Sequence, residues 1–222
     1  MSLPQDFPKR RVAVLVSGGG RSLENLSECI AAGSLNASIG LVLSDRSSAG
    51  ALARAERLGL EQRVVSWKDH RTANPASAVE SFSSAIFDQI EEQDCDLVVL
   101  AGFLRLLLVP PHWRGRVLNI HPSLLPAFGG PGFYGEHVHR SVIERGVQFS
   151  GCTVHFVDDR YDEGPIILQR CIEVTPGENA DQLAARVFEE EKLALPEAIR
   201  RVLDRESTAN CARGKVPGSS RT

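Results

Sequence analysis

Asn119 and His121 stand two residues apart in Asn119-Ile120-His121-Pro122, directly after the apolar pair Val117-Leu118. On an extended backbone, residues i and i+2 share a face, so an amide and an imidazole project the same way. The residue before a proline is biased toward extended geometry, which keeps His121 in line with Asn119. One group is a neutral hydrogen-bond donor and the other a donor that titrates. The pair suits a reaction that develops an oxyanion and moves a proton. An acid is needed to orient or charge the imidazole. Asp158, Asp159 and Asp162 are the candidates, and Asp162 precedes Glu163-Gly164-Pro165, a tight segment able to present a side chain inward. The plain alternatives are an asparagine that caps a loop, a core histidine and solvated loop acids.

A second centre lies at Ser17-Gly18-Gly19-Gly20-Arg21-Ser22, between the β-branched run Val12–Val16 and a helical stretch from about Ser22. Backbone amides of such a turn, with the positive end of the following helix, can hold a phosphate. Two sharper versions fail. No Gly-Lys-Ser/Thr completes a P-loop, and the third glycine of a dinucleotide fingerprint is Leu23. Asp45, closing the second apolar run, keeps a dinucleotide reading open as a ribose-binding acid. The plain alternative here is a tight turn.

His137 and His139 invite a metal reading together with His121 and His155. Two rings at i and i+2 on a helix point about 200° apart, a poor clamp. Both are expected on an ordinary helix surface, and no metal is expected. In the last helical stretch, Ala184, Val187, Phe188, Leu195, Ala198 and Val202 form an apolar stripe into which Glu191 falls. A carboxylate there either snorkels outward or receives a ligand's hydroxyls or amine.

The elements that must position these groups follow from the apolar runs. Strands are expected at Val12–Val16, Ser38–Asp45, near Arg63–Ser66, within Cys95–Phe103 and at Arg116–Ile120. Helices are expected from Ser22, over Ser48–Leu60 with Gly59 as the stop, over Ala76–Glu92, and from about Asn179 to Leu203. Continuous apolar strands separated by helices indicate an α/β fold: a doubly wound, mostly parallel central sheet covered on both faces. Gly151–Asp159 and Pro165–Val174 flank a turn-like segment and predict an antiparallel C-terminal strand pair. The chain reads as a single domain over 10–205, followed by a flexible polar tail over 206–222.

Composition narrows the function. The net charge of −3 argues against a nucleic-acid or anionic-membrane surface, so a bound phosphate must be held by local geometry. The five cysteines are scattered, with no C-x-x-C pair, which indicates a reducing compartment. No apolar run approaches the ~20 residues that span a bilayer. A soluble cytoplasmic protein acting on small molecules, as a monomer or homodimer, is expected.

Several strings occur in order: Ser17–Gly20, Ser44–Leu60, Asp96–Leu107, Asn119–Phe128, Gly151–Asp159, Asp162–Gln169 and Ala185–Pro196. Together, over about Val12 to Leu203, they resemble the folate-dependent formyltransferase family. The run His121–Phe128 is more similar to the glycinamide ribonucleotide branch than to the folate-hydrolase or initiator-tRNA branches. The resemblance implies a Rossmann-like formyltransferase fold, with a phosphate-binding N-terminal half and a folate-binding C-terminal half. It implies transfer of the formyl group of 10-formyltetrahydrofolate, a co-substrate, to the amine of 5-phosphoribosylglycinamide in purine biosynthesis. Asn119, His121 and Asp162 would be the catalytic set. Gly20, Arg21 and Ser22 would hold the phosphate and Glu191 the ribosyl part. Leu104, Arg105, Leu106 and Leu107, with Asn119, Asp158, Asp159, Arg160, Tyr161 and Asp162, would line the folate. A formyltetrahydrofolate hydrolase and a non-catalytic nucleotide-binding module are the alternatives.

Three departures from the family pattern stand out. Arg21-Ser22 replaces the usual Ser-Asn. No arginine for the folate's glutamate tail precedes the helix at 76–92, which leaves Arg71 or Lys68 as substitutes. The connection Gly129–His137 is long, and is expected to reshape the rim of the site rather than its chemistry.

Overall fold

A computed structural model describes residues 9–212. Seven strands form one sheet: β1 (Arg10–Val16), β2 (Ala37–Ser44), β3 (Gln62–Val64), β4 (Leu97–Leu100), β5 (Val117–His121), β6 (Phe149–Phe156) and β7 (Ile166–Glu173). Their order is β3-β2-β1-β4-β5-β6-β7. The first five run parallel, and β6 pairs antiparallel with both β5 and β7. Six helices accompany them: α1 (Arg21–Ala31), α2 (Gly50–Arg57), α3 (Trp67–Ala73), α4 (Ala78–Glu92), α5 (Glu136–Arg145) and α6 (Ala180–Ala212).

The alternation of side chains along a strand builds two core layers. Val12, Val14 and Val16 of β1 face α1, α5 and α6, whereas Ala13 and Leu15 face Phe82, Ile86, Phe87 and Ile90 of α4. Five residues of β1, Val12 to Val16, are buried, as an inner parallel strand covered on both faces requires. The strand order reverses between β1 and β4. The carboxyl ends of these two strands and of β5 therefore open onto a common crevice.

Local chemistry explains several boundaries. Gly59, at φ 65°, closes α2: its N–H reaches the Glu56 carbonyl while Leu60 N–H reaches that of Ala55. Asn179 and Gln182 exchange hydrogen bonds with each other's backbone N–H and start α6. Pro196, inside α6, has no N–H to offer the Lys192 carbonyl one turn earlier. Asn25 of α1 supplies the missing donor at 3.0 Å, tying α1 to α6.

Two expectations need correcting. The Ser66 side chain caps α3, a helix that the sequence reading left unassigned. The last helix does not stop near Leu203 but continues to Ala212, because no glycine or proline lies between Leu203 and Gly214. Of the tail expected over 206–222, residues 213–222 lie outside the described residues. No helix among the described residues is long and apolar enough to cross a membrane.

Gly164 marks the tightest point of the β6–β7 connection. A Cβ built there would lie 1.8 Å from the Phe156 carbonyl oxygen. Gly164→Ala is expected to cost on the order of 3 kcal/mol, since backbone cannot yield as a side-chain tip does. A urea midpoint equal to that of the wild type would show that the loop relaxes freely.

Candidate active site

Asn119 and His121 occupy β5 with their side chains on one face, as the spacing requires. Directly across the antiparallel ladder stand His155 and Thr153 of β6. Asp162 enters from the connection between β6 and β7, at φ 58°. Aspartate tolerates this left-handed backbone better than most residues, and it turns the carboxylate back toward the sheet. The three sequence candidates therefore meet. Asn119 Nδ2 donates to Asp162 Oδ1 at 3.2 Å, and His121 Nδ1 lies 3.5 Å from Asp162 Oδ2.

His155 completes the group. Its Nδ1–H donates to the Phe156 carbonyl at 2.8 Å, which leaves Nε2 to accept from Asn119 Nδ2 at 3.1 Å. His155 Nε2 also lies 3.6 Å from Asp162 Oδ1. Sequence reading considered His155 only as a metal ligand. The missed signal was a polar residue inside an apolar strand, opposite an asparagine whose partner strand was unknown. Two backbone groups add to the site: the Phe128 carbonyl accepts from His121 Nε2 at 2.8 Å, and Gly130 N–H donates to Asp162 Oδ2 at 2.9 Å.

The electrostatics follow from burial and pairing. Burial pushes the Asp162 carboxyl up, but the adjacent His155 and His121 imidazoles and the Gly130 N–H outweigh it. The carboxyl lies below the ordinary aspartate value. Burial lowers His121, and Asp162 with the Phe128 carbonyl only partly restores it. Burial and pairing thus favour a neutral His121 beside an ionised Asp162.

This cluster lies in a hollow of about 280 Å³ that also takes in Leu104, Arg105, Leu106, Leu107, Asp158, Arg160 and Tyr161. The long connection after Phe128 forms its rim through Gly130–Gly135. Asp159 is not brought there. It faces the opposite side of its loop, accepting from Val109 N–H at 3.4 Å and pairing with Arg114 at 3.5 Å. Neither Lys68 nor Arg71 lines the hollow.

Arg105 is held in place by Asp45 at 2.8 Å and lies over Trp67. Asp45 also pairs with Arg46 and is completely enclosed, so this acid anchors guanidinium groups and cannot serve a ribose. Burial alone would raise its carboxyl, yet Arg46, Arg105 and Ser17 hold it low.

A second hollow of about 210 Å³ contains Gly18–Ser22, Ala184, Phe188, His139 and Glu191. The glycine loop is braced: Ala51 N–H reaches the Gly18 carbonyl at 3.0 Å, and Arg54 holds the Gly19 carbonyl at 2.6 Å. The amides that open α1 are thus presented to the hollow. The Arg21 guanidinium rests on the Phe188 ring, 4.1 Å from its centre. His139 corrects an expectation. It is 5% exposed rather than on a helix surface, because its side of α5 packs toward α6, whereas His137 is exposed.

Glu191 keeps part of its surface open to this hollow, yet protein crowds it closely. Burial pushes its carboxyl up to about 7, against the opposing charge of Arg21. The proton is thus favoured by the folded state, so this group's contribution to stability is fully present below the ordinary value of 4.5 and is lost as pH rises to about 7. Glu191→Gln is expected to abolish this decline. It should stabilise the unliganded protein at pH 8 by on the order of 2 kcal/mol and leave pH 4.5 nearly unchanged. Urea unfolding at both pH values measures the difference.

The two hollows meet. Gly102, Ile120, Pro122 and Gly135 border both. One continuous crevice therefore joins the glycine loop to an amide–imidazole–carboxylate cluster. Residues 10–199 match the family description "Formyl transferase". The chain belongs to the formyl transferase family.

Solved formyl transferases of similar shape include glycinamide ribonucleotide transformylase 1 from Symbiobacterium toebii. It is 37% identical, with 90% of each chain covered and a TM-score of 0.78. Phosphoribosylglycinamide formyltransferase from Brucella melitensis is 38% identical over 87% of this chain and 95% of that one, with a TM-score of 0.75. The chicken trifunctional purine biosynthetic protein adenosine-3 is 40% identical over 87% of this chain. This chain spans only 18% of that larger protein. The chloroplastic phosphoribosylglycinamide formyltransferase of Vigna unguiculata is 37% identical over 86% of this chain and 60% of its own length.

Proposed function

We propose that this formyl transferase moves the formyl group of 10-formyltetrahydrofolate to the amine of 5-phosphoribosylglycinamide, a step of purine biosynthesis. The observation that carries this reading is the junction of the two hollows beside Asn119, His121 and Asp162. A two-substrate reaction without a covalent enzyme intermediate needs such a meeting point, and it needs no nucleophilic serine or cysteine. The names of the similar bacterial enzymes support the same substrates. Free, scattered cysteines suit a reducing compartment such as the cytoplasm.

In this mechanism the folate lies in the larger hollow along Leu104–Leu107 and the loop bearing Asp158, Arg160 and Tyr161. The phosphate sits on the amides of Gly20, Arg21 and Ser22, with Glu191 toward the ribosyl part. The amine attacks the formyl carbon and a tetrahedral oxyanion forms. Asn119 Nδ2 and His121 hydrogen-bond it. Asn119 Nδ2 also donates to Asp162 and His155, and His121 Nε2 to the Phe128 carbonyl, so the formyl oxygen competes with these acceptors for their protons. As negative charge develops, it and the ionised Asp162 favour passage of a proton from the attacking nitrogen to His121. When the oxyanion collapses, the bond from the formyl carbon to folate N10 breaks, N10 takes that proton, and tetrahydrofolate leaves. Holding two substrates in register supplies much of the remaining acceleration.

The test is folate deformylation with and without phosphoribosylglycinamide, followed by absorbance. Product formation is expected only with the amine present. Formate release at the same rate without it would assign a hydrolase instead.

A further inference from the structure

His139 is a buried polar residue that the transfer chemistry leaves without a role. Its Nδ1 has no hydrogen-bond partner in the protein. Stranding such a group is unfavourable, and a fold retains it most readily when a ligand completes it. The ring borders the hollow that holds the glycine loop and Glu191. That hollow runs from the glycine loop at Gly18–Ser22 to Ile120 and Pro122, which flank His121. Its position is therefore intermediate between the reacting end of the crevice and the phosphate end. A phosphoribosyl amine laid along that line places its pentose at this level.

The chemistry agrees. Burial, with Arg21 and His121 nearby, holds His139 down at about 4, so the ring is neutral at working pH. A phosphate dianion seeks a cation, whereas a neutral imidazole suits a hydroxyl, to which it can donate or from which it can accept. Glu191, bordering the same hollow, offers a second polar group to a sugar.

We propose that His139 hydrogen-bonds a ring hydroxyl of the pentose and makes the site prefer ribosyl over deoxyribosyl substrates. The proposal rests on the phosphoribosyl reading of the crevice.

The test compares kcat/KM for phosphoribosylglycinamide and its 2-deoxy and 3-deoxy analogues in the wild type, His139→Leu and His139→Gln. In the wild type, one deoxy analogue should be disfavoured about ten-fold, the usual worth of a lost hydrogen bond. His139→Leu should lose that factor on the ribosyl substrate and on the analogue that keeps the contacted hydroxyl, but not on the other analogue, and His139→Gln should recover part of it. Equal losses on all three substrates would show a packing role and overturn the proposal. A second measurement needs neither a variant nor turnover. The Nδ1 nitrogen resonance of His139 in the wild type should shift with ribose 5-phosphate, and less with the matching deoxyribose 5-phosphate. Absence of any shift overturns the proposal even where formyl transfer is intact. Wild-type failure to formylate any of the three amines would instead remove the underlying substrate assignment.

Discussion

His121→Ala is expected to lower the turnover of formyl transfer by roughly 10²–10³-fold, with KM for either substrate changed far less. The loss arises because the imidazole contributes only once an oxyanion exists, so ground-state binding hardly senses its removal. The fold should persist. β5 is held on both sides by ladders to β4 and β6 that involve backbone alone, and the ring's own bonds go to one carbonyl and one carboxylate. Asp162→Asn makes the companion test. It keeps the side chain's shape but removes the charge that favours protonated His121, so it should depress turnover and shift the pH–rate profile. If His121→Ala retained near-normal turnover, the oxyanion role would pass to Asn119 alone. If Asp162→Asn left the profile in place, the coupling across 3.5 Å would be immaterial to the reaction.

Gly20→Ala is expected to raise KM for the phosphoribosyl substrate by at least about ten-fold and to lower Tm, without weakening folate binding. Gly20 has φ 79°, a left-handed conformation that costs a residue with a Cβ roughly 1–2 kcal/mol. The new methyl would also lie 2.7 Å from Ala51 Cβ and 2.9 Å from its Cα, so α2 would have to retreat. Retreat would disturb the brace from Ala51 N–H to the Gly18 carbonyl and with it the aim of the first α1 amides. Gly19 is the control. A Cβ there meets nothing within 4 Å, so Gly19→Ala should leave stability within about 0.5 kcal/mol of the wild type. Separate KM values for the two substrates and a melting curve decide the matter. A Gly20→Ala protein with wild-type Tm and KM would mean that the turn tolerates rearrangement.

Only one of the three loop glycines is thus demanded by backbone geometry, which the string Gly18-Gly19-Gly20 does not reveal. Local patterns carried much else. Continuous apolar runs announced the inner strands, because a parallel strand covered on both faces has no polar side to alternate with. The i, i+2 spacing of Asn119 and His121 announced a shared face for the same reason of period. Glu191 betrayed itself by interrupting an apolar stripe. The short helix α3 escaped notice because Trp67–Ala73 is too brief and too polar to show a period.

Pairings distant in sequence lay beyond local pattern. Nothing near His155 states that it will face Asn119, since the register of β6 against β5 is set by the whole antiparallel ladder. Asp158, Asp159 and Asp162 were equivalent as composition. The left-handed turn at Asp162 and the crowding at Gly164 aim one carboxylate inward and leave Asp159 outside. His139 and His137 share one helix, yet α6 covers only the first. From its residues alone, this protein determined which strands exist, where the glycine loop begins and which side chains share a strand face, all consequences of short-range backbone period. Tertiary structure decided which acid meets His121, which histidines are enclosed and that the two hollows join. Those outcomes depend on long-range packing that no local window of sequence contains.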